Sequence, residues 1–129
     1  MSKSIDILVL DDDTDLLASV ADLLTDSGYR VKAFADGESA IEFAMNEEFV
    51  LGLFDYRLGS VKSGLDVVEK MQALGCKAVY VMITADVEKA TQMRALHLKL
   101  FEFMKKPLEP EVLLSTVQRA LVHATQLAA

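Results

Sequence analysis

The chain has 129 residues, with 13 basic and 20 acidic side chains and a formal net charge of −7. That balance disfavours direct binding to nucleic acid or an anionic membrane and points to a protein or small-ligand partner. The length suits a single domain spanning residues 1–129, large enough to bury a core without staples, and the one cysteine, Cys76, excludes an internal disulfide. The longest apolar run, Ala78 to Ile83, is far too short to cross a bilayer, and the opening MSKSID lacks the apolar stretch of a secretory signal, so a cytoplasmic location is expected.

The first predicted strand, Ile5–Leu10, runs straight into Asp11, Asp12 and Asp13, with Asp15 close behind. Carboxylates a few Å apart repel by roughly 4 kcal/mol per pair at an effective dielectric near 20, so such a cluster needs solvent, protons or a cation. Leu16, Leu17, Val20, Leu23 and Leu24 then fall on one helical stripe, ended by Gly28, with Asp13 suited to the N-cap. Strand two is expected at Arg30–Phe34, followed by a helix with Ala40, Ile41, Ala44 and Met45 inward. Strand three, Phe49–Phe54, leads into Asp55, and helix three carries Leu65, Val68, Met71 and Leu74 before Gly75. Strand four, Ala78–Ile83, ends at Thr84. Val87–His97 can form helix four with Ala90, Met93 and Leu96 inward, and strand five, Leu100–Met104, is followed by KKPL. Pro110 suits the first turn of a last helix whose stripe is Leu113, Leu114, Val117, Leu121 and Ala124.

Strands apolar on both faces belong inside a sheet, and alternating βα units of this length predict an α/β fold. The expected architecture is a flavodoxin-like, doubly wound parallel sheet of five strands in order 2-1-3-4-5 with five helices. In that order the chain reverses between strands one and three, and ligands bind in the crevice at their carboxyl ends. Asp11 and Asp12 lie on one lip and Asp55 on the other. Thr84 and Lys106 bring a hydroxyl and an ammonium to the same edge. Converging carboxylates without Cys or His form a hard oxygen site suited to Mg²⁺, while Lys106 and Thr84 suit the oxygens of a phosphoryl group. An aspartate can act as nucleophile in such a site, forming an acyl phosphate.

Each residue alone has a plainer reading. Asp55 could be a strand-end turn residue, Thr84 a helix cap and Lys106 a solvated charge. His97 and His123 fall on helix ends where surface roles are favoured, Cys76 has no activating partner placed by sequence, and the methionines read as packing. Only the constellation points to chemistry.

LVLDDD, LFDYRL, VMITAD and FMKKPL, in that order and spacing, resemble the response-regulator receiver domain of two-component signal transduction over essentially the whole chain. The resemblance implies a phosphorylation-operated switch rather than a turnover enzyme. Asp55 would be the phosphoacceptor, receiving its phosphoryl group from a histidine kinase or histidine phosphotransfer protein. Asp12 would be the main Mg²⁺ ligand and Asp11 a supporting one, with Asp55 and the Arg57 backbone carbonyl completing the set. Lys106 would pair with Asp55 and the phosphoryl group, while Thr84 and the Ala85 amide would bind phosphoryl oxygens. Thr84 and Phe103 would form the switch that reshapes the face of helix four, strand five and helix five for a downstream protein target. Arg57 and Asp86, oppositely charged, occupy positions that tune phosphoryl lifetime, and their pairing would slow hydrolysis. The Lys106–Pro107 peptide would be cis.

The sequence also departs from the family's commoner pattern. Gly59 stands where Pro is frequent, the loop GSVKSG is longer than usual, and Lys99-Leu100 replaces a frequent Gly-Ala pair. A phosphohydrolase of the haloacid dehalogenase type is disfavoured, because Asp15 stands at the fifth motif position and no room is left for a cap domain. A flavin-binding flavodoxin is disfavoured because its phosphate loop needs Ser, Thr or Gly donors. A degenerate receiver, binding partners without phosphorylation, is the alternative to the switch. The final LVHATQLAA suits a stand-alone, chemotaxis-regulator-like receiver and equally the receiver part of a longer regulator, and a phosphorylation-dependent homodimer is compatible with either.

Overall fold

Ile7, Leu8, Val9 and Leu10 are all buried, although successive side chains of a strand point to opposite faces. Both faces of the sheet must therefore be covered. The computed structural model describes residues 5–59, 62–85 and 89–128. In it β1 (Ile5–Leu10), β2 (Val31–Phe34), β3 (Phe49–Asp55), β4 (Val79–Thr84) and β5 (Glu102–Lys105) alternate with α1 (Thr14–Asp26), α2 (Gly37–Asn46), α3 (Gly64–Ala73), α4 (Lys89–His97) and α5 (Pro110–Ala128). The sheet is parallel throughout, in the predicted order β2-β1-β3-β4-β5.

Ile7, Val9, Leu51, Leu53, Val81 and Ile83 face α1 and α5, which contribute Leu17, Val20, Leu24, Leu113, Val117 and Ala120. On the other face Leu8, Leu10, Phe54, Tyr80 and Met82 pack with Leu65, Val68 and Met71 of α3, alongside α2 and α4. Burying each large apolar side chain contributes roughly 1.5–3 kcal/mol, so this sandwich fixes where every strand ends. Those ends carry the polar residues.

Local signals set the helix limits. Asp13 caps α1, its side chain accepting the Leu16 N–H at 3.1 Å, and Gly28 follows that helix at φ +99°. Asp36 caps α2 in the same way through Ser39. The Lys106–Pro107 peptide is cis, as the family resemblance implies.

Helix four turns a different face inward from the one expected. Met93 and Leu96 are 64% and 75% exposed, while Thr91, Ala95 and Leu98 are buried; the Ala90 side chain lies outside the described residues. Two stripes compete on this short helix, and polar links to α3 select the second. Gln72 Nε2 donates to the Leu98 carbonyl at 2.8 Å and Arg94 Nη2 to Asp66 Oδ1 at 2.7 Å. Met45 and Leu74, expected inward, are also exposed near the C-terminal ends of α2 and α3, beyond reach of the sheet.

Strand limits move as well: β3 and β5 each end one residue later, at Asp55 and Lys105, and β4 shifts by one residue to Val79–Thr84. The later starts of β2 and β5 have a visible cause. The Arg30 N–H donates to Asp6 Oδ2, outside the ladder, so β2 starts at Val31. The Leu100 N–H closes the end of α4 onto the Ala95 carbonyl, so β5 starts at Glu102. Lys99 adopts φ +61° at that helix end, a conformation glycine takes without a side-chain penalty.

Candidate functional site

The carboxyl ends of β1 and β3 lie side by side, with Leu10 opposite Phe54, so Asp11 and Asp55 emerge together. Both are buried, and Asp12 beside them is exposed. One oxygen from each of Asp11, Asp12 and Asp55 lies within 4.8 Å of the others. Strand pairing therefore brings Asp11 and Asp55 together, and the turn after β1 adds Asp12.

Lys106 enters from the end of β5. Its backbone N–H donates to the Thr84 carbonyl at 2.9 Å, which fixes the lysine beside the last residue of β4. Its Nζ then lies 3.0 Å from Asp55 Oδ2 and 3.5 Å from Asp11 Oδ2. Burial lowers the affinity of that ammonium for its proton, yet the hydrogen bond and charge of Asp55, with Asp11 behind, outweigh burial and leave its pKa raised. Lys106 stays charged.

Burial is the largest influence on Asp11, and the negative field of Asp55 adds to it. Together they push its pKa up to about 6, against the opposing hydrogen bond from the Asp13 N–H at 2.9 Å. Three carboxyl groups face one ammonium, and such an all-oxygen donor set fits a divalent hard cation such as Mg²⁺.

Close backbone approach shapes the pocket's walls. A Cβ on Gly59 would sit 2.5 Å from Asp12 Oδ2, and Gly59 itself has φ +66°. A Cβ on Gly64 would sit 2.3 Å from the Asp55 carbonyl oxygen. Glycine at position 59 thus suits the departure noted in the sequence. The role of Gly64 was not foreseen, although the pattern Ser63-x-x-Asp66 is a capping-box signal, and the structure shows that box formed.

Thr84 is buried at the end of β4, and Ala85 follows it at the surface. The Arg57 N–H donates to Asp55 Oδ1 at 3.3 Å, while its side chain is exposed. Asp86 lies outside the described residues, and with it the expected pairing to Arg57. Phe103 is half-buried, opposite Met82 in the β4–β5 register. It borders a groove of about 600 Å³ between α4 and β5, together with Met93, Leu96, Leu100 and Phe101.

Comparison with known proteins agrees with this geometry. The response regulator receiver domain family matches residues 7–118, and the chain belongs to that family. It is 28% identical over 126 residues to the transcriptional regulatory protein DltR of Streptococcus agalactiae serotype III (strain NEM316), an alignment covering 94% of this chain and 56% of DltR. The chain thus spans about half the length of that curated relative. A CheY-like receiver domain from Methanospirillum hungatei JF-1 superposes with a TM-score of 0.88 at 28% identity, covering 95% of this chain and 98% of that one. A Burkholderia pseudomallei response regulator, solved with a phosphorylated aspartic acid, calcium ion and citrate, superposes at 0.79 with 25% identity, covering 98% of this chain and 74% of that one. Among the described residues no helix is long and apolar enough to cross a membrane.

Proposed function

We propose that this receiver domain is a phosphorylation-operated switch whose phosphoacceptor is Asp55. The observation that carries the reading is the placement of Asp55 between Lys106 and two further carboxylates at the crevice of the sheet. In the reaction an Asp55 oxygen attacks the phosphorus of a phosphohistidine on a histidine kinase or histidine phosphotransfer protein. The O–P bond of an acyl phosphate forms as the N–P bond breaks, and the imidazole leaves with the bonding electron pair.

Lys106 offsets the charge gathering on the phosphoryl oxygens, and its pairing with Asp55 places it there beforehand. The Thr84 hydroxyl and the Ala85 N–H supply hydrogen bonds to the same oxygens. Asp11, Asp12, Asp55 and the Arg57 carbonyl would hold Mg²⁺. When bound, that ion neutralises the carboxylates and the phosphoryl oxygens so that two anionic groups can approach.

On this reading the chain accepts and slowly loses one phosphoryl group and is not a turnover enzyme. Movement of Thr84 and Phe103 would remodel the groove between α4 and β5 for a downstream protein target, with homodimerisation a further use of that face. The B. pseudomallei regulator, which shares the fold and was solved with a phosphorylated aspartic acid and a calcium ion, supports the assignment by analogy.

Acetyl phosphate provides the test, with and without Mg²⁺, on the native chain and on Asp55→Asn, read by intact mass. A Mg²⁺-dependent phosphate adduct lost in Asp55→Asn is expected. No adduct, together with no binding of beryllofluoride, would instead make the chain an interaction module that works without phosphorylation.

A further inference from the structure

Asp66 divides its carboxylate between two parts of the molecule. Its Oδ2 accepts the Ser63 N–H at 2.7 Å, and its Oδ1 accepts Arg94 Nη2 of α4, also at 2.7 Å. Ser63 in turn forms an isolated antiparallel bridge with Arg57, whose N–H donates to the Asp55 carboxylate. Beside that bridge the Gly64 N–H donates to the Tyr56 carbonyl at 2.8 Å, so the segment after Asp55 is tied to the start of α3, and Asp66 ties the start of α3 to α4. A second contact runs beside them, from Thr91 Oγ1 of α4 to the Tyr56 hydroxyl at 3.5 Å, and Tyr56 follows Asp55 directly.

Such links supplement the apolar packing of helix four. Met93 and Leu96 turn to solvent, so part of its apolar surface gives no hold on the sheet. Arg94 also lies 3.6 Å from Glu69, which keeps the guanidinium over α3. Burial favours the neutral form of Asp66, but hydrogen bonds from Ser63 and Arg94 prevail and hold its pKa below the usual carboxylate value. The link is charged at neutral pH.

We propose that Arg94, acting through Asp66 and Ser63, is a positioning residue that couples the placement of α4 to the state of the Asp55 pocket. The inference rests on the phosphoacceptor reading above. A half-buried ion pair still open to solvent is screened and contributes little to overall stability, and its effect here comes from joining two segments through one carboxylate. Whatever a bound phosphoryl group does to the loop after Asp55 is then felt at α4, and a change at α4 alters binding at Asp55 by the same factor.

Amide hydrogen exchange on the full chain tests this, comparing the native protein with Arg94→Ala, Asp66→Asn and the double variant, with thermal melts to show that each is folded. Without ligand, Arg94→Ala is expected to speed exchange in residues 62–66 and in α4 by roughly two- to fivefold, the span of a solvent-screened ion pair. Asp66→Asn should do the same, and the double variant should add little more. With Mg²⁺ and beryllofluoride, exchange in the native chain should change in both segments, whereas in Arg94→Ala the change should stay within residues 62–66. The proposal is overturned if α4 of Arg94→Ala responds as the native helix does, or if residues 62–66 keep native exchange in ligand-free Arg94→Ala. Failure of the native chain to bind beryllofluoride overturns the phosphoacceptor reading, and the ligand-free comparison then still decides whether Arg94 holds the loop.

Discussion

At the scale of single residues, Asp11 is where folding and ligand chemistry oppose each other. Burial and the neighbouring Asp55 raise its pKa from 3.8 to about 6. Between those values the folded chain holds a proton that the unfolded chain has released. The stability contributed by protonated Asp11 is therefore fully present below the unfolded value and is lost as pH rises through about 6. Asp11→Asn imitates the protonated form. In chelator-treated protein its melting temperature should exceed that of the native chain by more near about pH 7 than near about pH 4, and an equal difference at both would refute the assignment. A cation reverses the preference, because ligation needs the ionised carboxylate.

At the scale of elements, the end of β3 and the start of α3 meet with no space for a side chain. A Cβ at Gly64 would fall 2.3 Å from the Asp55 carbonyl oxygen and 2.7 Å from Met82 Sδ. The first is backbone and cannot yield without shifting Asp55. Gly64→Ala is expected to cost about 1–3 kcal/mol in urea denaturation, as overpacking does, and to weaken Mg²⁺ binding in calorimetry because the phosphoacceptor moves. Native stability and native affinity in that variant would show that the loop adjusts freely. Helix four shows why element-level patterns can mislead. Ala95 and Leu98 form as good a stripe with Thr91 as Met93 and Leu96 do with Ala90, and the packing of Ala95 and Leu98 into the core, with the links from Asp66 to Arg94 and from Gln72 to the Leu98 carbonyl, decides between them.

At the scale of the whole molecule, the site ties β1, β3 and β5 together through charges on their carboxyl ends. A ligand that neutralises the cluster should therefore stabilise the entire fold. Saturating Mg²⁺ is expected to raise the melting temperature relative to chelator-treated protein, by about 2.7 kcal/mol of stability at a hundredfold excess over Kd. Asp12→Asn should remove most of that increment, and an unchanged increment would exclude Asp12 as a ligand. The sequence by itself determined which five segments form strands, their order, and that Asp11, Asp12, Asp55 and Lys106 meet at one edge of the sheet. Continuous apolar runs can exist only inside a covered sheet, and each of them stops at a polar residue that must then lie on the sheet's edge. Tertiary structure alone decided which face of α4 is buried and that Asp66 joins Arg94 to the segment after Asp55. Those outcomes depend on contacts between residues 26–28 positions apart, such as Gln72 with Leu98 and Asp66 with Arg94, and no local periodicity carries such contacts.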